Sequence, residues 1–275
     1  DYMSACLQDP EHGYYRMRRA IGADADFITA PEISQVFGEL VGLWCAVVWQ
    51  QMGSPGIVHL IELGPGRGTM MRDALRAARL VPRFRDALHV WLVESDEALK
   101  GEQRAALSGC HEHLAWLRHW SVVNKYVDEP NGQRAEDLRA VPAGPTMVIA
   151  NELLDAIPIQ QVVCESGRWH HRVVDLDDTG ALCFRTGRES VVEPPATLAG
   201  GARDGDLFEW SFGRRELAAG LLGVRQRHGA VAALFVDYGH TRSMLGETLQ
   251  AVERHRPVSP LAAPGQTDLT AQVDF

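Results

Sequence analysis

The sequence has little lysine and no long apolar run. Lys100 and Lys125 are its only lysines, so arginine carries nearly all of the positive charge, a bias typical of a GC-rich, bacterial genome. The net charge of −9 argues against electrostatic binding of duplex nucleic acid. No apolar run approaches the roughly 20 residues that cross a bilayer, and no secretory signal opens the chain. We therefore expect neither a nucleic-acid partner nor membrane insertion.

The five cysteines are scattered and form no Cys-x-x-Cys motif. Free, mostly buried thiols in a reducing compartment are the simplest interpretation, which places a bacterial copy in the cytoplasm. His111-x-His113 and His170-His171 bring no further ligands close in sequence, and neighbours on a strand face opposite sides. We therefore expect no metal site.

One stretch carries most of the functional information. The mainly apolar run 58–63 predicts a buried strand, and it passes through Gly64-Pro65-Gly66-Arg67-Gly68-Thr69 into a predicted helix near 69–80. A strand that ends in such a turn lets a nucleotide-type ligand lie against the backbone, in front of the helix N–H groups. The turn lacks the lysine of a P-loop, and Gly68 comes one residue too early for a dinucleotide fingerprint. The pattern acidic-x-Gly-x-Gly-x-Gly is typical of class I S-adenosylmethionine (SAM) methyltransferases, with a purely structural tight turn as the alternative.

Two carboxylates complete this hypothesis. Glu62, at the end of the first strand, is suited to a cationic amino-acid group, whereas it would repel a pyrophosphate. Glu94 ends the predicted strand 88–94, where an acidic residue binds ribose hydroxyls in related folds. Alternatively, Glu94 serves the start of the next helix, near 96–108. The candidate cofactor-binding residues from these motifs are Glu62, Gly64, Pro65, Gly66, Gly68, Thr69 and Glu94.

A polar cluster follows the predicted strand 145–150. Because ligands bind at the carboxyl ends of the strands in open α/β sheets, Asn151, Glu152 and Asp155 are candidate catalytic residues, with Glu152 favoured. Carboxylates can grip a guanidinium through forked hydrogen bonds and align its nitrogen for methyl transfer. The alternative is that Asn151 caps the next helix while Asp155 makes a turn before Pro158.

Strands that alternate with helices predict an α/β fold with a doubly wound, mainly parallel sheet. We divide the chain into a helical N-terminal segment (1–56) that packs on the cofactor site, a Rossmann-like core (57–158), an inserted antiparallel β lobe (159–213) and a return to the sheet (214–275). We expect the apolar stripe of a helix at 34–52 to lie in the core, and 12–15 to form a turn into extended chain. The chain starts at Asp1 and stops at Phe275, so terminal segments are expected to be missing.

Several sequence motifs together resemble those of the MidA-type SAM-dependent methyltransferases, whose mitochondrial members are arginine methyltransferases that assist assembly of respiratory complex I. The resemblance spans nearly the whole chain. The motifs that carry it are Asp26-Phe27-Ile28-Thr29-Ala30-Pro31-Glu32-Ile33-Ser34-Gln35-x-Phe37-Gly38-Glu39, Ile61–Thr69, Asn151-Glu152-x-x-Asp155-Ala156-x-Pro158, Asp237-Tyr238-Gly239-His240 and Thr248-Leu249-Gln250-Ala251.

The resemblance implies a class I fold, SAM as cofactor and a protein substrate methylated on arginine. It also implies that the loop with Thr29, Pro31, Glu32 and Gln35 closes near the reactive methyl group, whereas a structural helix start is the competing interpretation. Ala25 departs from the glycine usual in the family. The family's closing strands would follow Phe275. The hairpin lobe can support a homodimer, although no feature requires one.

Two other functions stay open at this point. A non-catalytic assembly protein could keep the fold and the ligand, with Trp169 and Trp210 as partner surfaces, although each tryptophan taken singly is expected to pack in the core or the lobe. An NAD-linked dehydrogenase is a weaker alternative because of the early third glycine.

Overall fold

The computed structural model describes residues 1–9, 11–17, 29–118, 140–253 and 256–275. The strands are β1 (Val58–Leu63), β2 (Leu88–Val93), β3 (Leu114–Leu117), β4 (Thr146–Asn151), β5 (Gln160–Glu165), β6 (Arg168–Leu176), β7 (Leu182–Glu189), β8 (Leu207–Trp210), β9 (Val231–Val236), β10 (Gly239–His240), β11 (Gln250–Glu253), β12 (Arg256–Val258), β13 (Asp268–Thr270) and β14 (Val273–Asp274). The helices are α1 (Tyr2–Gln8), α2 (Tyr14–Met17), α3 (Ala30–Ile33), α4 (Gln35–Gln51), α5 (Thr69–Ala78), α6 (Pro82–Ala87), α7 (Glu97–Ala106), α8 (Ala196–Ala199) and α9 (Phe212–His228).

A five-stranded parallel sheet forms the centre of the molecule, in the order β3-β2-β1-β4-β9. The predicted strands at 58–63, 88–94 and 145–150 lie within one residue of the observed ones. Strand order reverses between β1 and β4, and the region at the carboxyl ends of these two strands, the crevice, is where ligands bind in open α/β sheets. The doubly wound, mainly parallel sheet expected from the sequence is therefore confirmed.

An antiparallel sheet in the order β7-β6-β5-β8 follows the parallel core. The chain then returns through α9 to β9, which lies at the edge of the central sheet. Short strands at 239–274 form a β10-β14 pair and a β12-β11-β13 sheet.

Strand β1 is buried along its whole length and separates two apolar cores. Val58 and Leu60 pack with residues of α4 and α5, whereas Ile61 and Leu63 pack on the other face with residues of α9. Helices α4 and α5 can approach closely because Gly42 has no side chain. A Cβ at this position would lie only 2.5 Å from the backbone oxygen of Ala74. This packing fixes the start of α5, and with it the turn that follows β1.

The expectation for the apolar stripe of α4 is only partly correct. Four residues of the stripe are buried or pack against the core, namely Phe37, Val41, Trp44 and Val48. The other three are exposed: Val36 (51%), Leu40 (61%) and Val47 (51%). Helical periodicity is weak guidance here because apolar residues extend around most of the helix.

One local expectation is wrong and another is confirmed. Residues 12–15 do not enter extended chain, since α2 begins at Tyr14 and the Tyr14 side chain is fully buried with Leu7 and Leu269. Burial of this ring by distant parts of the chain overrides the β preference of an aromatic pair. Trp169 is 5% exposed and packs with Val162 and Phe208, so the expected lobe packing is confirmed and Trp169 is not a partner surface.

Histidines gather at the amino ends of the parallel strands, opposite the crevice. The rings of His89 and His113 stack with centroids 4.3 Å apart, and the ring of the buried His59 lies 5.8 Å from that of His89. Across the described ranges, no group of three or more His, Cys, Asp or Glu side chains is arranged to hold a metal ion. None of the helices in these ranges combines the length and the apolar character that a bilayer crossing requires.

Candidate active site

The turn after β1 presents bare backbone to the crevice. Gly64, Gly66 and Gly68 have positive φ angles of 62°, 53° and 80°, which residues with a Cβ rarely adopt. Gly64 is exposed, and a Cβ there would lie 2.8 Å from Cδ1 of Leu153 in the loop after β4. Pro65 is buried, and its carbonyl oxygen accepts the N–H of Gly68 at 2.8 Å. The turn therefore offers a side-chain-free cradle in front of α5.

Glu62 precedes this turn by two residues, near the end of β1. Its side chain is 1% exposed, and its Oε2 has no hydrogen-bond partner among the described residues. Burial raises the pKa of Glu62 to about 8, and the charge of Glu62 in turn helps to raise the pKa of Cys45 on α4, after burial of that thiol. A buried carboxyl without a partner is suited to a ligand that brings a cationic group.

Glu94 lies at the end of β2, on the other side of the turn. Its Oε1 accepts the N–H of Asp96 at 2.9 Å, so part of the expected helix-start role is present, although Asp96 itself caps α7. Its Oε2 accepts a hydrogen bond from Gln103 Nε2 at 3.3 Å. Burial raises the pKa of Glu94, against hydrogen bonds that lower it.

Gln103 is a site residue that the sequence did not reveal. It is fully buried on α7, and its Nε2 also donates to the backbone oxygen of Gly66 at 2.7 Å. Its Oε1 accepts from Trp116 Nε1 at 2.8 Å. Gln103 therefore fixes the glycine turn relative to Glu94, a relation that no local pattern could indicate because the partners are distant in sequence.

The N-terminal segment contacts both sides of the crevice. Thr29 precedes the first turn of α3, which contains the buried Pro31. Ala30 N–H donates to Glu152 Oε1 at 3.1 Å, and Glu32 Oε1 accepts from Thr69 Oγ1 at 2.6 Å. Gln35 is exposed at the start of α4. Ala25 and the phrase 26–28 lie outside the described residues.

Glu152 stands in a strained backbone position at the end of β4. Its φ is +47°, which is uncommon for a residue with a Cβ and is frequent at functional sites. Its N–H donates to the Val236 oxygen at 2.9 Å, and its partly exposed carboxylate accepts from Asn151 Nδ2 at 3.2 Å. No helix follows Asn151 before β5, so the alternative of Asn151 as a helix cap is wrong.

Asp155 lies three residues after Glu152, in the same loop, and is 7% exposed. Burial, followed by the charges of Asp237, Asp268 and Glu152, raises its pKa to about 7. Asp237 shapes the loop, since its Oδ2 accepts the N–H of Leu154 at 2.7 Å and that of Asp155 at 3.3 Å. The sequence pointed to Asp237 only through the family phrase, because its partners are more than 80 residues away.

The main cation near these acids is already engaged. The Arg214 guanidinium donates to the backbone oxygens of Leu154, Ala271 and Gln272 at 2.7–2.8 Å. Burial lowers its pKa, against the charges of Asp237 and Asp155. The crevice therefore combines a glycine cradle with a group of acids that Arg214 does not bind through its side-chain hydrogen bonds and whose ionised forms a cationic ligand would favour.

Relatives of the chain carry a common activity in their names. The chain is 36% identical over 290 residues to the Drosophila melanogaster protein named protein arginine methyltransferase NDUFAF7 homolog, mitochondrial, with 100% of the chain and 64% of the relative covered. The Caenorhabditis elegans protein of the same name is 32% identical over 283 residues, with 100% of the chain and 66% of the relative covered. The chain thus spans about two thirds of the length of these relatives.

A solved structure and a family model lead to the same group of proteins. The crystal structure of a Burkholderia thailandensis protein bound to S-adenosyl-homocysteine matches with a TM-score of 0.75 and 27% identity, covering 100% of the chain and 68% of that protein. The model of a family described as S-adenosyl-L-methionine-dependent methyltransferases matches residues 40–275. With the class I sheet and its glycine turn, these matches show that the chain belongs to the S-adenosyl-L-methionine-dependent methyltransferase family.

Proposed function

We propose that the protein transfers a methyl group from SAM to a guanidino nitrogen of an arginine in a protein substrate. One observation carries this proposal: Glu152, with a partly exposed carboxylate, and the buried Asp155 lie in the loop after β4, whose Leu153 contacts the glycine turn at Gly64. The names of the Drosophila melanogaster and Caenorhabditis elegans relatives support arginine as the acceptor. Because the chain belongs to the SAM-dependent methyltransferase family, the alternative of an NAD-linked dehydrogenase is dropped.

The residues of the crevice fit SAM. The open backbone at Gly64 to Gly68, with its neighbour Thr69, would face the ligand, while Glu62 offers its unpartnered oxygen to the amino group. Glu94 retains acceptor capacity for ribose hydroxyls, and Gln103 keeps it in place. When bound, SAM supplies an electrophilic methyl group whose transfer forms an N–C bond, breaks an S–C bond and leaves the electron pair on sulfur.

The acids prepare the acceptor nitrogen. Glu152 would hold the guanidinium through a forked hydrogen bond, which draws positive charge away from the attacking nitrogen. Asn151 and Ala30 fix that carboxylate by donating to its Oε1. Asp155, with a pKa of about 7, is a carboxyl able to take up the proton that the nitrogen releases at neutral pH. Alignment of the two reactants then supplies most of the rate enhancement.

The N-terminal segment is proposed to close the site. Thr29, Pro31, Glu32 and Gln35 would then line one wall of the crevice, and the hydrogen bonds from Ala30 to Glu152 and from Thr69 to Glu32 support this proposal. The division into segments 1–56, 57–158, 159–213 and 214–275 is kept as part of the same proposal. The family resemblance makes a respiratory complex I type subunit the first substrate to test, in the cytoplasm of a bacterium.

The test is methylation with labelled SAM, followed by mass spectrometry of arginine-containing substrates. Glu152→Gln should abolish methylation while the affinity for S-adenosyl-homocysteine, measured by calorimetry, stays unchanged. Glu165→Gln, an exposed change in the antiparallel lobe, is the matched control and should keep both properties. Unchanged methylation by Glu152→Gln would contradict the proposed role. A wild-type protein that binds the ligand but methylates nothing would favour a non-catalytic assembly function.

A further inference from the structure

An exposed aromatic side chain stands next to the acids of the crevice. Tyr238 follows β9, the strand beside β4, and its side chain is 62% exposed. The register pairs Asn151 with Val236, and the N–H of Glu152 donates to the Val236 oxygen. Tyr238 therefore follows on the strand that directly adjoins Glu152. Such exposure of a large ring beside a charged site is not explained by core packing.

The backbone of Tyr238 is held on both sides. Its N–H donates to Asp237 Oδ1 at 2.8 Å, and its oxygen accepts from the N–H of Val273 at 2.9 Å. At Gly239 a Cβ would lie 2.2 Å from the Val273 oxygen, so only glycine permits this close approach. The ring is therefore presented from a fixed backbone while most of its surface stays open.

The electrostatic surroundings of the ring favour a cation. The charge of Glu152 is the largest cause that raises the pKa of the Tyr238 phenol, followed by burial and the charges of Asp155 and Asp237. Arg214, the guanidinium near these acids, is bound to three backbone oxygens. A ligand that brings positive charge would relieve the repulsion among the carboxylates.

A guanidinium matches this combination of groups better than an ammonium does. Its plane can offer two parallel N–H groups to a carboxylate while its face stacks on an aromatic ring. A lysine ammonium is a compact, strongly hydrated charge that lacks both features. The pairing of a carboxylate with an open ring thus distinguishes arginine from lysine.

We propose that Tyr238 forms the aromatic wall of the substrate site, stacks on the guanidinium that Glu152 holds, and sets the preference for arginine over lysine. This inference rests on the proposed arginine methyltransferase function. Loss of the ring face should weaken arginine binding about 2- to 30-fold, the usual range of a cation–π contact, while the affinity for S-adenosyl-homocysteine is unchanged.

The experiment compares Tyr238→Leu with Tyr238→Phe, which keeps the ring face. Calorimetry measures binding of Gly-Arg-Gly and Gly-Lys-Gly peptides to protein saturated with S-adenosyl-homocysteine, and methylation assays give KM and kcat. We expect Tyr238→Leu to raise the Kd and KM for the arginine peptide. The difference in affinity between the arginine and the lysine peptide should become smaller. Tyr238→Phe should keep the wild-type Kd and KM for the arginine peptide and the wild-type difference between the two peptides. Phe212→Leu, at an aromatic side chain that is 52% exposed on α9, is the matched control.

The outcomes separate the two proposals. Equal affinities of wild type and Tyr238→Leu, or equal losses in the Leu and Phe variants, would overturn the stacking role. A fall in kcat without a change in Kd would overturn it as well. If wild type binds S-adenosyl-homocysteine but neither binds nor methylates arginine substrates, the proposed function itself fails. Thermal melting checks the fold of each variant, and Tyr238→Gln replaces Tyr238→Leu if the latter melts early.

Discussion

The side-chain amide of Gln103 donates a hydrogen bond of 2.7 Å to the backbone oxygen of Gly66, across 37 residues of sequence. The same buried side chain donates to Glu94 and accepts from Trp116. One residue of α7 thus sets the distance between the glycine turn and the carboxylate proposed to bind ribose. Its hydrogen bonds act on the shape of the cofactor site without any need for contact with the cofactor.

Replacement of Gln103 should weaken both stability and cofactor binding. Gln103→Leu keeps a similar size but leaves the Gly66 oxygen and the Trp116 N–H without their partner, which we expect to cost about 2–4 kcal/mol of unfolding free energy. The affinity for S-adenosyl-homocysteine should fall because the turn is no longer fixed. Urea unfolding and calorimetry measure the two effects. Gln50→Leu, at an exposed position of α4, is the control, and equal behaviour of the two variants would contradict the prediction.

Cofactor binding should release a proton near neutral pH. The pKa of Glu62 is raised to about 8 by burial, so its carboxyl is mostly protonated at pH 7 in the free protein. A bound amino group favours the ionised form and lowers this pKa, so the affinity for S-adenosyl-homocysteine should rise with pH, by at most about tenfold per unit. Calorimetry in buffers of different ionisation enthalpy counts the proton. Glu62→Gln should remove the release and Glu165→Gln should not. Identical heats in all buffers would refute the linkage.

The substitution Gly64→Ala should impair cofactor binding more than it destabilises the fold. Gly64→Ala places a Cβ 2.8 Å from Leu153 Cδ1, the end of a flexible side chain, at a positive φ of 62°. Gly53→Ala is the matched control, because its φ of 88° imposes similar strain with nothing within 4 Å. Both should lose about 1 kcal/mol of stability. Only Gly64→Ala should lose binding of S-adenosyl-homocysteine, as measured by calorimetry, and equal affinities would argue against this location.

Acid should destabilise the protein through His59. Burial, followed by the charges of His89 and His228, lowers its pKa to about 4 from 6.5. Between these values the unfolded chain binds a proton that the folded protein does not, so stability is lost as the pH falls, by up to about 3 kcal/mol. Urea unfolding at pH 7 and at pH 4.5 measures the loss. His59→Asn should reduce the pH dependence, whereas His12→Asn, at an exposed side chain, should leave it as in wild type.

The sequence was sufficient to predict the parallel core. Strands β1 and β4 are buried almost throughout, so each appears as a mainly apolar run, and the glycine turn is recognisable because positive φ angles favour that residue type. The acids at strand ends, Glu62, Glu94 and Glu152, follow from the same rule of open α/β sheets. Their binding roles stay predictions.

The remaining features depend on contacts between distant residues. Gln103 and Asp237 are ordinary polar residues in sequence, and their importance arises only from partners 37 and more than 80 residues away. The exposed side of α4 could not be assigned for a related reason: Val36 and Leu40 lie on one apolar stripe and Val41 on another, and periodicity does not show which stripe the rest of the chain covers.

The three hydrogen bonds that Arg214 donates to backbone oxygens connect two distant segments of the chain. Leu154 belongs to the loop that carries the proposed catalytic acids, whereas Ala271 and Gln272 lie near the end of the chain, 57 or more residues from this arginine. A single rigid, planar group therefore clamps these two segments together at the base of α9. The Ala271 N–H also donates to the Asp155 oxygen at 3.0 Å, so any displacement of residues 271–272 is expected to shift the loop that carries Asp155.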